Sequence, residues 1–595
     1  MKFLIIKDAY LKLAVTQIFG IIISAANSMI DTAVTGRFLG ADVVAAAGLF
    51  APVVTLMGFS YVLVTGLQIL CSRAVGSGES KKVVSLFSSG FIFLAVCGAV
   101  ISVLCILFPE HLIAFLTGGG LTRGGHNTSV VLNLRDYISG YSYGITFQIL
   151  YGFLMVFLPL NNSVNLSYVS IAVMLVSNIV MDIAAVYFNL GAFGIGFATS
   201  ASYVLAFLSV LHVFTDKYKA VHIELGYLCL PSLGEAAILG LPSLMFTLGC
   251  TTKGYVMNMT LLKHIGASAI AVMNIQGNIC AIAGAVPMGC AGAMMSLASM
   301  YYGENDRESL LMLVKYSLKF GVILSGAVML FIMSSAYYIS DFFFEAGKSA
   351  IDIFDISERM MLLFPSFLIF NAVYNIFIKS YQLQGKTRLV NIVSFAENII
   401  MAVIAVILVP LMGDSGVWLS FPLSEIVCLI IIMLSVFINA GRITFSLSDW
   451  IKLPENFGAK AGEFIEFSIT SAKQVINISE KVIDFCVRNK ISRRKSNIAG
   501  LAVEEMAGNI VKHGFRENVE NHANLRIVYT DEILTIRIHD NCPEFDPHKR
   551  LDQFSGEDPA ANIGIRMIAG LADEMSYQNM AGININTVMI KISGK

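Results

Sequence analysis

Glu505 and Asn509 stand four residues apart in "LAVEEMAGNIVKHGF" (501–515), whose apolar spacing is helical, so both project from one face. An amide oxygen at that place can ligate Mg²⁺ bridging nucleotide phosphates, and a carboxylate one turn earlier can orient or deprotonate a nucleophile. Alone, the pair is a weak signal, since most such pairs are solvated helix surface. Two more segments follow in order, "DNCPEFDP" (540–547) and "NIGIRMI" (562–568). A buried Asp540 after a strand can accept the exocyclic amine of adenine, and Gly564 at a helix start lets backbone N–H groups approach phosphate. A second set lies far upstream. Asp31 and Asp182 interrupt long apolar runs, where a carboxylate costs about 2.5–3.5 kcal/mol at mid-depth and is therefore usually buried and functional. Asn178 shares a helix face with Asp182, and Thr199 adds a hydroxyl. Such oxygens suit a hard cation such as Na⁺, and a desolvated carboxylate suits a proton.

The elements that must hold these groups differ in solvent. Of 595 residues, 56% are hydrophobic and 14% charged, against about a quarter charged in soluble proteins. The charges cluster: 36 of 81 fall in the 141 residues from Glu455 onward. Apolar segments long enough to span, roughly 20 residues each, are expected near 13–34, 44–70, 83–108, 133–159, 165–188, 192–214, 234–259, 268–297, 311–335, 358–382, 390–411 and 416–439. An all-α polytopic membrane block of twelve helices over 1–440 follows. Lys/Arg residues such as Lys7, Arg73, Lys81, Lys217, Lys386 and Arg442 flank alternate loops or the termini. The positive-inside rule then places both termini in the cytoplasm, in a bacterial inner membrane. No cleavable signal is expected, and the ten scattered cysteines argue against zinc or a disulfide framework. A net charge of −1 gives no reason to expect nucleic acid as a partner.

"RFLGADVVAAAGL" (37–49) recurs in outline as "KHIGASAIAVMNI" (263–275), and "NLGAFGIGFATS" (189–200) as "LMGDSGVWLSFP" (411–422). Two parallel six-helix repeats, about 10–215 and 230–440, are expected, with a cleft between them that can rock open to either side. "NSMIDTAVTGRFLGADVVAAAGLFAPV", "SNIVMDIAAVYFNLGAFGIGFATSAS" and "YQLQGKTR" together resemble the MATE (multidrug and toxic compound extrusion) transporters over about 10–440. The resemblance implies export of small organic solutes by alternating access, coupled to Na⁺ or H⁺, with the ion site at Asp31, Asn178, Asp182 and Thr199. Lys253, Lys379, Glu397 and Glu425 in the second half, and "LPLNNSVNLS" (158–167), depart from the family's usual pattern. An intramembrane Lys–Glu pairing would be structural; a free one would bind substrate.

From 461 the periodicity changes. "GEFIEFSIT" reads as a strand, 472–489 and 493–515 as helices, and "ANLRIVYT", "ILTIRIHDN" and "INTVMIKIS" as strands. A mixed sheet with helices on one face is expected, an α+β sandwich over 461–595. The three ordered motifs resemble the GHKL ATPase superfamily, most closely the anti-sigma-factor serine kinases. That resemblance implies ATP and Mg²⁺ as cofactors, with Glu505 as general base, Asn509 on Mg²⁺, Asp540 on adenine, Gly564 at the phosphates and Thr587 near the purine. Cys542 and Asn562 stand where the family usually has glycine. The stretch 441–460 joins the blocks, either as an interfacial connector around Trp450 or as a plain tether.

Two functions are therefore expected to compete. One is an ion-coupled exporter whose cytoplasmic nucleotide module regulates or signals. The other is an integral-membrane sensor, serine kinase or anti-sigma regulator, with a STAS-type anti-anti-sigma protein and a sigma factor as the partners the resemblance implies. An ATP-powered pump is disfavoured, since the chain has no GxxxxGK[ST] loop.

Overall fold

The computed structural model describes residues 2–116, 128–224, 226, 228–229, 231–344, 351–516, 520–530, 532–547 and 563–592. Its first lobe contains α1 (Lys2–Phe38), α2 (Ala41–Met57), α3 (Ser60–Ser77), α4 (Ser80–Leu107), α5 (Pro109–Leu116), α6 (Thr128–Tyr141), α7 (Ile145–Phe157), α8 (Val164–Tyr187) and α9 (Gly191–Leu211). The second repeats the series as α10 (Pro231–His264), α11 (Ala267–Ala283), α12 (Ala285–Gly303), α13 (Arg307–Ser334), α14 (Ala336–Phe344), α15 (Ile351–Leu363), α16 (Phe367–Leu383), α17 (Thr387–Met412) and α18 (Asp414–Ala440). The order of long, broken and short helices matches element for element. The short α5 and α14 follow the third long helix of each lobe, and the breaks after α2 and α6 recur after α11 and α15.

Ten stretches are long and apolar enough to cross a membrane, and the pair α6 and α7, bent by 53°, makes an eleventh. The twelfth expected span, 44–70, is divided between α2 and α3 at Gly58–Phe59. Its second piece carries Gln68, Ser72 and Arg73, which lower its hydropathy but face other helices rather than lipid.

The lobes meet along a seam built from small residues. A Cβ on Gly66 of α3 would overlap the Ala236 carbonyl of α10, and one on Gly240 would overlap that of Val62. Gly76 sits equally close to Met300 of α12, and Gly303 to Arg73. Only glycine permits such backbone approach.

After α18, a short helix α19 (Leu447–Trp450) leads to the C-terminal domain. This connector is docked. Trp450 stacks on Phe377 at 5.5 Å, Tyr381 Oη donates to the Trp450 carbonyl at 2.6 Å, and Phe457 stacks on Tyr302 at 4.8 Å.

The domain comprises β1 (Phe464–Ile469), α20 (Ala472–Arg488), α21 (Arg493–Asn509), β2 (Ala523–Thr530), β3 (Ile533–Asp540), α22 (Ile563–Leu571), β4 (Glu574–Met580) and β5 (Ile583–Lys591). The sheet order is β1-β2-β3-β5-β4 with every pairing antiparallel, not mixed as the sequence led us to expect. The reason is local. A two-residue turn at Ala581–Gly582, both with positive φ, closes β4 onto β5 as a hairpin, and Glu532, also at positive φ, lies in the tight link from β2 to β3. Val475, Ile478, Val482 and Phe485 recur at helical spacing on α20 and pack with Leu525, Ile536 and Val588 of the sheet. Burying each such side chain contributes about 1.5–3 kcal/mol.

Strand alternation decides the rest. Leu534, Ile536 and Ile538 face the helices, so Arg537 and His539 point the other way. That outer face sits on the membrane block. Met580, Ala581, Ile583 and Ile585 join the apolar core of the helical lobes. Arg537 Nη2 donates to the Gly76 carbonyl at 2.7 Å, and the Ala581 amide to that of Pro159 at 3.0 Å, both in the first lobe. On the second lobe, His539 Nε2 lies 2.9 Å from Glu304 Oε1 and Arg526 Nη1 2.5 Å from Asp306 Oδ1, with Lys2 Nζ 3.3 Å from the same carboxylate. Burial alone would raise the Asp306 carboxyl, but Arg526 and Lys2 outweigh it and hold it at about 2.

Candidate functional sites

The first lobe brings its four sequence-identified residues together in part. Asp182 is fully buried on α8, and Asn178 one turn earlier is 1% exposed. The Asp31 carboxyl of α1 faces that of Asp182 within direct interaction distance. Among the described residues, no donor reaches Asp31 Oδ1, either oxygen of Asp182, or the Asn178 amide. Two facing carboxylates in a low-dielectric interior cannot both stay charged unless a proton or cation joins them. Carboxyl and amide oxygens are the ligand chemistry that a hard cation takes. Thr199 Oγ1 is committed to its own helix, donating to the Ile195 carbonyl at 3.2 Å, and retains only acceptor capacity. Tyr137, missed by sequence reasoning, lies within electrostatic reach of both acids. Its place in an aromatic-rich run gave no distinguishing signal.

The second lobe holds a different acid pair. Glu397 of α17 and Glu425 of α18 interact directly, and Lys253 of α10 is electrostatically coupled to both. Asn371 Nδ2 donates to Glu425 Oε1 at 2.7 Å. The Lys253 ammonium also stands over the Phe421 ring, 5.8 Å from its centroid. Lys379 is not part of this group. It lines the central cavity between the lobes, and its Nζ donates to Gln382 Oε1 at 3.2 Å.

In the C-terminal domain a cavity of about 200 Å³ lies between sheet and helices, lined by Asn509, His513, Asp540, Cys542, Phe545 and Asn586 among others. Asn509 ends α21, where the chain widens into a π-helical turn over Ile510–Gly514. Asp540 Oδ1 accepts from Asn584 Nδ2 at 2.6 Å and from the Cys542 amide at 3.0 Å. Burial pushes the Asp540 carboxyl above the usual range, against these hydrogen bonds. Cys542, in a position where the family has glycine, packs its Sγ toward Gly514 and narrows the cavity. The cavity has the size and the buried acceptor that an adenine ring requires. Glu505 sits against Gly564 at the start of α22, so closely that a Cβ on Gly564 would overlap its carboxylate. Asn562 lies outside the described residues.

Thr587 is not brought into this site. It faces outward from β5 toward the membrane block, where its Oγ1 lies 3.3 Å from Arg537 Nε and its methyl group near Gly78. Its neighbour Asn586 lines the cavity instead, since adjacent strand residues take opposite faces. Asn584 was also missed. The alternation of "ININTVMIK" would have shown Asn584 and Asn586 on the same side as Val588 and Ile590.

Comparison with known proteins agrees with this division. Residues 469–591 match the histidine kinase-like ATPase domain family, and residues 17–184 and 243–407 match the MatE family. The multidrug export protein MepA of Staphylococcus aureus (strain MSSA476) is 22% identical over 451 residues, covering 75% of this chain and 96% of MepA. MepA of Staphylococcus saprophyticus is 23% identical over 447 residues, covering 74% and 95%. A multidrug resistance MATE family transporter of the MOP superfamily, solved in an outward-facing conformation, superposes with a TM-score of 0.65 at 21% identity, over 71% of this chain and 93% of that one. The Vibrio cholerae MATE transporter VcmN gives 0.64 at 15% identity, over 71% and 94%. Its two helical lobes, their repeat and the matched length leave one conclusion: this multi-pass membrane protein belongs to the MatE family of transporters and carries a histidine kinase-like ATPase domain after its membrane block.

Proposed function

We propose that the chain exports small organic solutes by alternating access driven by Na⁺ or H⁺, and that its nucleotide-binding domain, on the cytoplasmic side with both termini, regulates the exchange. Support for the coupling half is the Asp31–Asp182–Asn178 cluster, in which Asp31 Oδ1, both Asp182 oxygens and the Asn178 amide have no hydrogen-bond partner among the described residues. The regulatory half rests on one observation: the sheet's outer face bonds to both lobes across the seam they must open. His539, which meets Glu304, adjoins Asp540, which would meet adenine. The Ala581–Gly582 turn, seated on Pro159, lies two residues from Asn584, the partner of Asp540. Nucleotide on one face of β3 and β5 would therefore bias the contacts on the other.

The residues present fit ATP and Mg²⁺: Asp540 for adenine, Asn509 for the metal, Gly564 and the α22 start for phosphate. When bound, the group would supply phosphate charge and a divalent cation. The experiment is flux of a xanthene dye in proteoliposomes of the full chain under imposed Na⁺ or H⁺ gradients, with and without Mg·ATP on the domain's side. Asp182→Asn should cut gradient-driven flux by roughly a hundredfold, and Arg526→Ala with His539→Ala should make flux indifferent to nucleotide. Flux unaltered by nucleotide in the parent protein would sink the regulatory half.

A second reading is favoured by Glu505 lying at the entrance of α22: a serine kinase acting on a STAS-type protein within a sigma-factor circuit. Transfer of labelled phosphate to such a protein, lost in Glu505→Gln, tests it.

A further inference from the structure

The central cavity measures about 810 Å³ and is walled by α1, α3, α7, α8, α9, α11, α12 and α16. Among its described lining residues one side chain is charged, and it is Lys379. Asp31, Asp182, Glu397 and Glu425 do not line it. The Lys379 ammonium has a neutral amide, Gln382, as its hydrogen-bond partner, and no carboxylate neighbour offsets its charge among the described residues. Gln382 in turn donates to the Leu239 carbonyl at 2.9 Å, which fixes this part of α16 against α10 at the seam.

A half-buried ammonium without a counter-charge is unfavourable, and inside a membrane protein such a group usually marks a solute path. Met155, Met288 and Met295 supply soft, adaptable apolar walls, while Tyr61 and Gln17 add polar edges. Taking the transport reading as its basis, the geometry points to a transported solute that carries an anionic group, a carboxylate, sulfonate or phosphate on an aromatic or aliphatic body, with Lys379 as its counter-ion. The coupling ion and the solute then occupy separate places. Acids in the first lobe hold the cation, and a lysine in the shared cavity holds the anion.

The test uses two dyes with the same xanthene skeleton and opposite charge, fluorescein and rhodamine 123, binding to the purified full chain and followed by fluorescence anisotropy. Fluorescein should bind at least about tenfold more tightly than rhodamine 123, the discrimination expected of one desolvated charge contact. Lys379→Met should remove that preference, and Lys379→Arg should keep it, which separates loss of charge from loss of fold. Equal affinity for the two dyes, no binding of fluorescein, or fluorescein binding unchanged in Lys379→Met would each overturn the proposal. Lys379-dependent fluorescein binding without gradient-driven flux would uphold this site while overturning export. Rhodamine 123 flux that persists in Lys379→Met, with no fluorescein binding, would do the reverse.

Discussion

Among the described residues the two lobes share nine helices in one order, yet they hold their buried acids differently. In the first, Asp31 and Asp182 come from α1 and α8 and face each other without a nearby donor among the described residues. In the second, Glu397 and Glu425 come from α17 and α18, with Lys253 and Asn371 beside them. The helix pairs are not equivalent under the repeat, so duplication of the scaffold did not duplicate the chemistry. Neither oxygen of Asp182 has a donor among the described residues, whereas Glu425 Oε1 accepts from Asn371 and the Lys253 ammonium stands near both glutamates. Both lobes grip the C-terminal domain: the first through the main-chain carbonyls of Gly76 and Pro159 and the Lys2–Glu466 ion pair, the second through the carboxylates of Glu304 and Asp306.

The sharpest way to break this contrast is to neutralise each acid. Asp182→Asn should reduce gradient-driven flux by roughly a hundredfold, whereas Glu397→Gln should stay within about threefold of the parent. Equal losses, measured in the same proteoliposomes, would erase the distinction. Next in size is stability. Lys253→Met strands the second pair and should lower unfolding stability by on the order of 3 kcal/mol, partly recovered when Glu397→Gln is added. Thermal unfolding in detergent reads this, and no recovery in the double variant would argue against compensation.

A smaller effect concerns the sheet's two faces. Asn586→Ala should weaken ATP binding by about tenfold while Thr587→Ala leaves it within about twofold, because only the former loses a cavity hydrogen-bonding group. Isothermal titration on the full chain decides between them. The smallest expected response is to pH. Since Asp306 is held near 2, below its unfolded value, its stabilising contribution is present above the ordinary carboxylate range. It is lost only as pH falls from about 4 toward 2. In a His539→Gln variant, which removes the docking histidine, protection of the 455–460 connector from protease should therefore be flat between about pH 5 and 8. A drop across that window would assign the docking to another group.

Much of this was legible in the residues. The polytopic block follows from hydropathy and charge density, which are summed over many positions and so are robust, and its repeat from segments that recur at nearly one offset. Strands β2 and β3 were readable from β-branched alternation. Strand β4, "EMSYQNM", was not, because its buried Ser576 and Gln578, toward the membrane block, and Asn579, against Asn584, carry no apolar signature. Thr587 illustrates the finest limit. A shift of one residue along a strand exchanges its faces, and a motif transferred by resemblance does not carry that register. Asp31 and Asp182 could be named as intramembrane acids, but that they face each other depends on how α1 packs on α8, which no local pattern encodes. Nor could sequence show that the connector docks, since Trp450 finds its partner Phe377 more than seventy residues upstream.

The glycines along α3, α10 and α12 have a further effect. Where main chain rests directly on main chain there is little interdigitation to undo, so the walls can separate as smooth surfaces without rotamer changes propagating into either lobe. Under the proposed rocking motion, resistance to parting would reside in whatever grips both walls outside them, and a small soluble appendage would gain mechanical authority over a much larger machine.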